Sequence, residues 1–279
     1  MSNIYEGYLR PYGYAELLED LISFKDIFGK SINVKVIGNS VKGRLLPLIK
    51  IGRGQRKLLL IGATHGREFV STAFIMRSLY ELLNSSEELS ESCLYIMPML
   101  NPDSVEISLL RDFPVQGDCD RGFFKNNANN INLNANFPYY FAKVPKRRQG
   151  GRIAASEPET KALIGLCEKE KFDLAVSLHA RGNCIFWRDL GNGEVKGDFL
   201  LAQKLSKSCG FELMSPTKYA EDYSGGFENW FRCRFKKPAL CVELVKDEDI
   251  SFSDMCKSFD EAVLWDKTKD FLKSYITFS

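Results

Sequence analysis

The sequence predicts an α/β fold in which a largely parallel sheet is covered by helices on both faces. The first observation is a series of short apolar runs, at 32–38, 45–52 and 57–63, each bounded by Gly or charged residues. The second is the alternation of such runs with segments of helical period, joined by short connections. Strands that alternate with helices form parallel sheets, because each helix carries the chain back across the sheet before the next strand begins.

Hydrophobic spacing predicts the elements of the amino-terminal half. Apolar residues recur at helical spacing over 14–28, and Gly29 follows as a C-terminal helix signal. The three apolar runs are predicted strands, and an amphipathic helical pattern follows them over 69–83. A further buried strand is predicted over 93–100, where it ends at Asn101 and Pro102.

The carboxyl-terminal half continues the alternation. We predict a Ser-capped helix over 156–170, a strand over 173–180, a helix over 199–209, a short helix over 226–231, a strand over 238–245 and a last helix over about 255–275. The polar, Asn-rich passage from about 103 to 152 predicts a functional or mobile loop, because loops of this length are uncommon in compact domains. No repeat or low-complexity linker interrupts the pattern, so we expect one domain over 1–279.

The composition indicates an ordinary soluble globular protein. Of 279 residues, 44% are apolar and 27% are charged, and a net charge of +2 gives no field that would draw the chain to nucleic acid or to an anionic membrane. The eight cysteines are scattered without a CxxC pair, so we expect free thiols. Because the chain shows neither a secretory signal nor a membrane-spanning apolar stretch, we expect a cytoplasmic protein.

Both histidines of the chain follow predicted strands. His65 and His179 each lie at the carboxyl end of an apolar run, the edge of an α/β sheet where ligands bind. Glu68 comes three residues after His65. Two imidazoles and one carboxylate are the ligand set of a catalytic zinc site with an open position. A hydrogen-bonded structural histidine at a strand end is the alternative that this spacing leaves open.

Glu243 is a candidate general base because it ends the apolar strand 238–245. A carboxylate in such a run is costly to bury unless it lines a site or finds a partner. Beside a zinc-bound water it could take a proton and pass it to a leaving amine. A glutamate that faces solvent at the strand end is the alternative.

Six ordered motifs resemble those of the zinc carboxypeptidases, the metallocarboxypeptidase family of M14 type. They are HGRE at 65–68, NPDS at 101–104, NINLNANFP at 130–138, SEPET at 156–160, SLHARG at 177–182, and YSGGFENW at 223–230 followed by VEL at 242–244. The resemblance implies a mixed, mostly parallel, eight-stranded twisted sheet with helices on both faces. It also implies that one Zn²⁺ ion is bound by His65, Glu68 and His179.

The resemblance also implies the catalytic residues of a zinc metallopeptidase. Glu243 would activate a zinc-bound water, and Lys125 would polarise the scissile carbonyl and stabilise its oxyanion. Tyr223 would be the family's mobile tyrosine, although Tyr219 is also close enough in sequence. Asn134 matches the Asn of the Asn-Arg pair that binds the terminal carboxylate of a substrate.

The chain departs from the family pattern at Ala135, which stands where the family has the arginine of that pair. This loss resembles the bacterial γ-D-glutamyl-meso-diaminopimelate peptidase branch, which cuts cell-wall peptides and accommodates a zwitterionic residue. Arg67, Arg181 and Lys125 are then candidates for binding carboxylates, and Glu228 for binding an amine. We therefore expect a small peptide or muropeptide substrate, cut at γ-D-glutamyl-meso-diaminopimelate.

Three further interpretations stay open at the level of the sequence. A carboxypeptidase or deglutamylase of ordinary peptides would need another cation, such as Arg181, in place of the missing arginine. A non-catalytic peptide-binding protein would have no use for Glu243. The basic run at 143–152 is either a solvated loop or a surface that meets acidic peptides.

Overall fold

A computed structural model describes residues 12–85, 89–109, 125–189, 191, 193–216, 224–245 and 262–278. Within these residues, eight strands form one mixed sheet: β1 Asn33–Asn39, β2 Leu45–Ile51, β3 Arg56–Ile61, β4 Ser92–Met97, β5 Leu174–His179, β6 Cys184–Phe186, β7 Glu212–Leu213 and β8 Ala239–Glu243. Their order across the sheet is β1-β2-β4-β3-β5-β8-β6-β7. The central strands β4, β3, β5 and β8 run parallel, and the predicted fold class is confirmed.

The helices cover both faces of this sheet. They are α1 Tyr14–Phe28, α2 Val70–Asn84, α3 Pro102–Ser108, α4 Pro158–Glu170, α5 Asp198–Cys209, α6 Phe227–Phe235, α7 Ala262–Thr268 and α8 Phe271–Ile276. Side chains alternate along β3, so that Leu58 and Leu60 pack in one core with α1, α2, α5 and α8 while Leu59 and Ile61 pack in another with α4 and α6. Across the described part of the chain, no helix has the length and apolarity needed to cross a membrane.

Several elements differ from the predicted ones. The passage that begins at 103 contains most of a helix, α3, which sequence periodicity missed because all seven of its residues, polar and apolar, are buried and it has no exposed face. Helix α4 begins at Pro158 after Glu157, so the predicted Ser cap is wrong. Proline fixes its own φ and suits the first helical turn without a side-chain cap. Strands β6 and β7 have three and two residues, which is too short for a recognisable period.

The sheet register brings the predicted site residues to one edge. Strands β3, β5 and β8 are adjacent and parallel, and His179 at the end of β5 pairs directly with Glu243 at the end of β8. Beyond β3, Ala63 turns the chain in the left-handed region with φ of 43°, and His65 follows. Because neighbouring parallel strands end at the same edge, three segments far apart in sequence deliver their polar side chains to one place.

Glu159 in the first turn of α4 links the stability of the fold to pH. Its side chain is fully buried and accepts N–H groups from Val41 and Asn127. Burial raises the pKa of Glu159 from 4.5 to about 7. A carboxyl group whose pKa is higher in the folded than in the unfolded chain favours folding only while protonated. Its contribution is therefore complete below about pH 4.5 and is lost as the pH rises through about 7.

We therefore expect the Glu159→Gln variant to be more stable than the wild type at pH 8, by up to roughly 3 kcal/mol, and nearly equal to it at pH 4.5. Urea unfolding at both pH values measures the difference. Glu19→Gln, at an exposed position of α1, is the matched control and should show no pH-dependent difference. A Glu159→Gln effect of the same size at both pH values would contradict the linkage.

Candidate metal centre and active-site cavity

Two imidazoles and one carboxylate converge at the sheet edge. His65 Nδ1 lies 2.8 Å from Glu68 Oε1, and His179 Nδ1 lies 2.9 Å from Glu68 Oε2. The two Nδ1 atoms are 3.3 Å apart, and all three side chains are buried. A tetrahedral zinc ion with bonds of about 2.0–2.1 Å separates its ligand atoms by about 3.3 Å, so this donor set fits zinc.

The turn that presents His65 is fixed by the NPDS segment. Asn101 caps α3 by accepting from the N–H of Ser104, and its Nδ2 donates to the carbonyl of Thr64, next to His65. Gly66 packs so closely on this helix that a Cβ there would lie 2.2 Å from Ser104 Oγ. Only glycine therefore allows the His65 turn to lie against α3, and the rigid contact sets the direction of the ligand.

Asn132 orients His65 from the side opposite Glu68. Its Oδ1 lies 3.1 Å from His65 Nε2 and also accepts from the N–H of Asn134 at 3.0 Å. Because Asn132 Oδ1 accepts only, it holds the proton of His65 on Nε2 and leaves the Nδ1 lone pair for a metal. The tautomer that zinc requires is therefore fixed by the protein.

The charges around the triad favour a bound cation. Burial lowers the pKa of His65 to about 4, so this imidazole is a neutral donor. Burial also acts to lower the pKa of His179, but the nearby carboxylates of Glu228 and Glu68 outweigh it and raise this pKa to about 10. Burial opposes ionisation of Glu68, yet His65 and His179 hold its pKa well below 4.5. Glu68 and Glu228 thus favour the protonated, positively charged form of His179. A bound divalent metal would supply this positive charge in place of the proton.

Glu243 has the surroundings of a general base. The residue is half-buried, and its Oε2 is inaccessible to solvent and has no hydrogen-bond partner within the described residues. Burial raises the pKa of Glu243 to about 7, against the opposing charge of His179. A base with a pKa near neutrality is well matched to proton transfer at cellular pH.

A cavity of about 270 Å³ joins Glu243 to the metal triad. Its polar and charged lining consists of His65, Lys125, Asn132, Asn134, Arg148, His179, Arg188, Asp189, Glu228, Asn229, Cys241 and Glu243, with Phe186, Trp187 and Ala239. A larger groove of about 910 Å³ lies beside β1 and β2, but its lining holds none of these residues. We place the chemistry in the smaller cavity because the donor cluster opens there.

The structure brings most of the predicted site residues together, but not all of them. Lys125, Asn134 and Glu228 line the cavity with the metal triad and Glu243. Arg67 and Arg181 are half-buried and lie outside the cavity lining. Tyr223 lies outside the described residues. The roles assigned to these individual residues stay predictions.

Glu228 occupies a more crowded position than the sequence indicates. It lies in the first turn of α6, accepts a hydrogen bond from Ser177, and places Oε1 3.7 Å from His179 Nε2. The same carboxylate that was predicted to bind a substrate amine therefore also neighbours a metal ligand. Its side chain is 11% exposed, so it is a wall of the cavity and not an exposed helix residue.

Asn132 and Arg148 line the cavity, but neither was among the site residues predicted from the sequence. Asn132 belongs to the NINLNANFP motif, and its place two residues before Asn134, a predicted substrate-binding residue, was a usable signal. Arg148 belongs to the basic run at 143–152, where Arg147 is exposed but Arg148 is half-buried and lines the cavity. No local pattern separates the two arginines, because only the path of the loop turns one of them inward.

Comparison with known families decides the relationship of this chain. The family model described as "Zinc carboxypeptidase" matches residues 20–205, which include all three residues of the metal triad. The chain belongs to the zinc carboxypeptidase family. The predicted family, its metallopeptidase class and its zinc cofactor are therefore confirmed.

Individual members of the zinc carboxypeptidase family are similar over most of the chain. The gamma-D-glutamyl-L-diamino acid endopeptidase 1 of Lysinibacillus sphaericus is 26% identical over 84% of this chain, which spans 65% of the length of that protein. Carboxypeptidase A from Helicoverpa armigera has the same fold, with a TM-score of 0.77 and 18% identity over 100% of this chain and 77% of its own. A murein-tripeptide amidase from Escherichia coli O157 gives a TM-score of 0.58 and 22% identity, covering 83% of this chain and 90% of its own.

We expect Asn132 to control zinc affinity in this member of the family. Replacing it by leucine removes the acceptor for His65 Nε2, and partners of this kind typically change metal affinity by about 10- to 100-fold. Competition with a chelating dye measures the zinc dissociation constant. Asn132→Asp keeps the acceptor and should bind zinc at least as tightly as the wild type, and Asn129→Ala is the exposed control in the same loop. Unchanged affinity in Asn132→Leu would show that His65 needs no such partner.

Proposed function

We propose that the protein is a zinc-dependent peptidase that hydrolyses γ-D-glutamyl-meso-diaminopimelate bonds in murein-type peptides. The observation that carries the proposal is the charge of the cavity wall. Glu228 contributes a buried carboxylate beside the metal triad, and guanidinium groups of Arg148 and Arg188 line the same cavity. A leaving residue with both an amine and a carboxylate matches such a wall better than an apolar residue does.

The absence of an arginine at position 135 bears on the substrate class. Ala135 is fully buried and offers no charge to a terminal carboxylate. The relative from Lysinibacillus sphaericus carries the name of an endopeptidase of gamma-D-glutamyl-L-diamino acids. The name of this relative favours a cell-wall peptide, and Ala135 means that any substrate carboxylate needs a cation from elsewhere in the chain.

Different residues of the cavity have different roles in the proposed hydrolysis. His65, Glu68 and His179 would hold zinc, which would supply a Lewis acid for the scissile carbonyl. Glu243 takes a proton from the attacking water and delivers it to the leaving nitrogen, so that the C–N bond breaks to give a carboxylic acid and an amine. Lys125 places a positive charge beside the carbonyl oxygen, where negative charge develops.

The cellular setting forms part of the proposal. We infer a cytoplasmic enzyme of one catalytic domain that meets murein peptides during their recycling or during spore formation. Its substrate is then a small soluble peptide, and the cavity of about 270 Å³ accommodates a residue of diaminopimelate size.

The test is a mass-spectrometric assay of the zinc-loaded protein with L-Ala-γ-D-Glu-meso-diaminopimelate. We expect release of meso-diaminopimelate and L-Ala-D-Glu, with kcat/KM at least about 100-fold above that for N-blocked dipeptides of ordinary amino acids. Protein treated with a chelator is the control. Faster cleavage of the ordinary dipeptides would favour a general carboxypeptidase, and cleavage of neither class would favour a binding protein.

A further inference from the structure

We propose that Arg148, together with the Asn134 amide, binds the carboxylate next to the scissile nitrogen and thereby makes the enzyme specific for a chain end. The identity of the leaving residue rests on the proposed function. The binding of a carboxylate by Arg148 does not rest on the proposed function, because it is argued from the geometry around Arg148. The inference assigns a mode of cleavage: the diamino acid is removed as the terminal residue of the peptide.

Arg148 is held in place by two separate chain segments. Its Nη2 donates to the carbonyl of Asn134 at 2.6 Å, and its Nη1 donates to the carbonyl of Ser224 at 2.8 Å. One carbonyl lies in the 133–135 turn and the other just before α6. A guanidinium that is fixed in this way loses little entropy when it binds a ligand, which is the condition for strong carboxylate recognition.

The carbonyl that accepts from Arg148 belongs to the peptide between Asn134 and Ala135. This peptide bond directly precedes the Cα atom of residue 135, whose side chain is only a methyl group. Gly225 also packs on Ala135, since a Cβ at Gly225 would lie 2.2 Å from the Ala135 carbonyl oxygen. Arg148 therefore brings a guanidinium, from a residue thirteen positions later, to the place where residue 135 supplies none.

Asn134 presents the other half of the site. Its Oδ1 accepts from the backbone N–H of Phe227 at 2.8 Å, so its Nδ2 group is the free half of the amide. Within the described residues, no protein group accepts from this Nδ2. Asn134 and Arg148 both line the cavity, and an amide N–H beside a guanidinium is a donor pair suited to a carboxylate.

The metal centre is close to this donor pair. The N–H of Asn134 donates to Asn132 Oδ1, which contacts His65 Nε2 at 3.1 Å. On the other side, Phe227 is followed by Glu228, whose carboxylate lies near His179. A bound residue can thus place its carboxylate on Arg148 and its side-chain amine on Glu228 while its acylated nitrogen lies near the metal triad.

Arg188 is less suited to the same task. Its Nη1 pairs with the exposed Glu194 at 2.8 Å, and its guanidinium lies over the Trp187 ring, 5.2 Å from the ring centroid. These contacts direct it to the outer wall of the cavity. Arg148 is bound instead to the segment that carries Asn134, whose backbone N–H donates to the Asn132 oxygen that contacts His65.

The test compares two peptides that differ only in this carboxylate. In L-Ala-γ-D-Glu-meso-diaminopimelate it is free, and in the same peptide extended by D-Ala it is an amide. We expect the zinc-loaded wild type to prefer the tripeptide by about 100-fold in kcat/KM, because a charge-assisted, bidentate contact is lost in the tetrapeptide. Arg148→Ala should lose this preference by slowing tripeptide cleavage about 100-fold while changing tetrapeptide cleavage less than about threefold.

Matched variants separate recognition from folding. Arg147→Ala, at the exposed neighbour, should behave as the wild type. Arg148→Lys keeps the charge but loses the planar fork, so it should recover part of the preference, and it decides the question if Arg148→Ala does not fold. An equal loss of kcat/KM on both peptides in Arg148→Ala would overturn the proposal, because it would mean that Arg148 only supports the loop.

A binding measurement keeps this inference separate from the proposed function. Calorimetry with N-acetyl-L-lysine and N-acetyl-L-lysinamide needs no turnover and no murein peptide. We expect the wild type to bind the acid at least about 30-fold more tightly than the amide, and Arg148→Ala to bind both equally. If the wild type cuts neither murein peptide, the proposed function fails, and this measurement still decides the role of Arg148. Equal binding of acid and amide by the wild type would overturn that role.

Discussion

The Glu243→Gln variant is expected to bind zinc as the wild type does and to lose about 10²- to 10⁴-fold in kcat. Glutamine fills the same space at the end of β8, but it cannot take a proton from the attacking water. Because Glu243 is not one of the three converging donors, metal binding should survive the change. Metal analysis and steady-state kinetics on the proposed tripeptide measure the two properties independently.

The control for this variant is Glu212→Gln, at an exposed position of strand β7, which β6 separates from β8. It should leave both zinc content and kcat unchanged. Full activity in Glu243→Gln would remove the general base from the proposal. Loss of zinc in the same variant would mean that Glu243 supports the metal centre itself.

Removal of zinc is expected to abolish hydrolysis and to destabilise the fold. Without the metal, the buried carboxylate of Glu68 and the carboxylates of Glu228 and Glu243 lose a divalent positive charge and keep the charge that His179 and Lys125 provide. A ligand that binds only the folded chain at 1,000 times its dissociation constant adds about 4 kcal/mol to the unfolding free energy. We expect the unfolding free energy to fall by this amount when zinc is removed by a chelator, and to return fully when one equivalent of zinc is added.

Thermal unfolding with and without chelator measures the stability, and the peptide assay measures the activity. Glu68→Gln provides the matched variant, since it removes one ligand and one negative charge while keeping the shape of the side chain. Its Tm should no longer depend on zinc. An unchanged wild-type Tm after verified removal of the metal would contradict a buried, charge-compensating zinc site.

The extent to which the sequence predicted the fold depends on the length of each element. Helix α1 begins and ends at the predicted residues, because fifteen residues give a clear apolar period and Gly29 ends it. The last predicted helix, over about 255–275, is two helices within the described residues, α7 and α8, separated at Lys269 and Asp270. Apolar spacing continues across that break, so periodicity alone does not reveal it.

The sequence by itself determined the fold class, and it predicted the metal triad and the candidate base. Each depends on local information, since HGRE, SLHARG and VEL lie at ends of strands whose apolar runs are visible in one dimension. Parallel neighbours end at one edge, so strand ends also predict that these residues meet.

Only the tertiary structure decided which other side chains enter the cavity. Arg148 and Arg147 are adjacent and chemically identical, yet one is fixed by the carbonyls of Asn134 and Ser224 and the other is exposed. Asn132 likewise gains its role only when His65, sixty-seven residues away, lies against it. The physical reason is that an irregular loop has no period, so the direction of each side chain is set by long-range hydrogen bonds to segments that folding brings together.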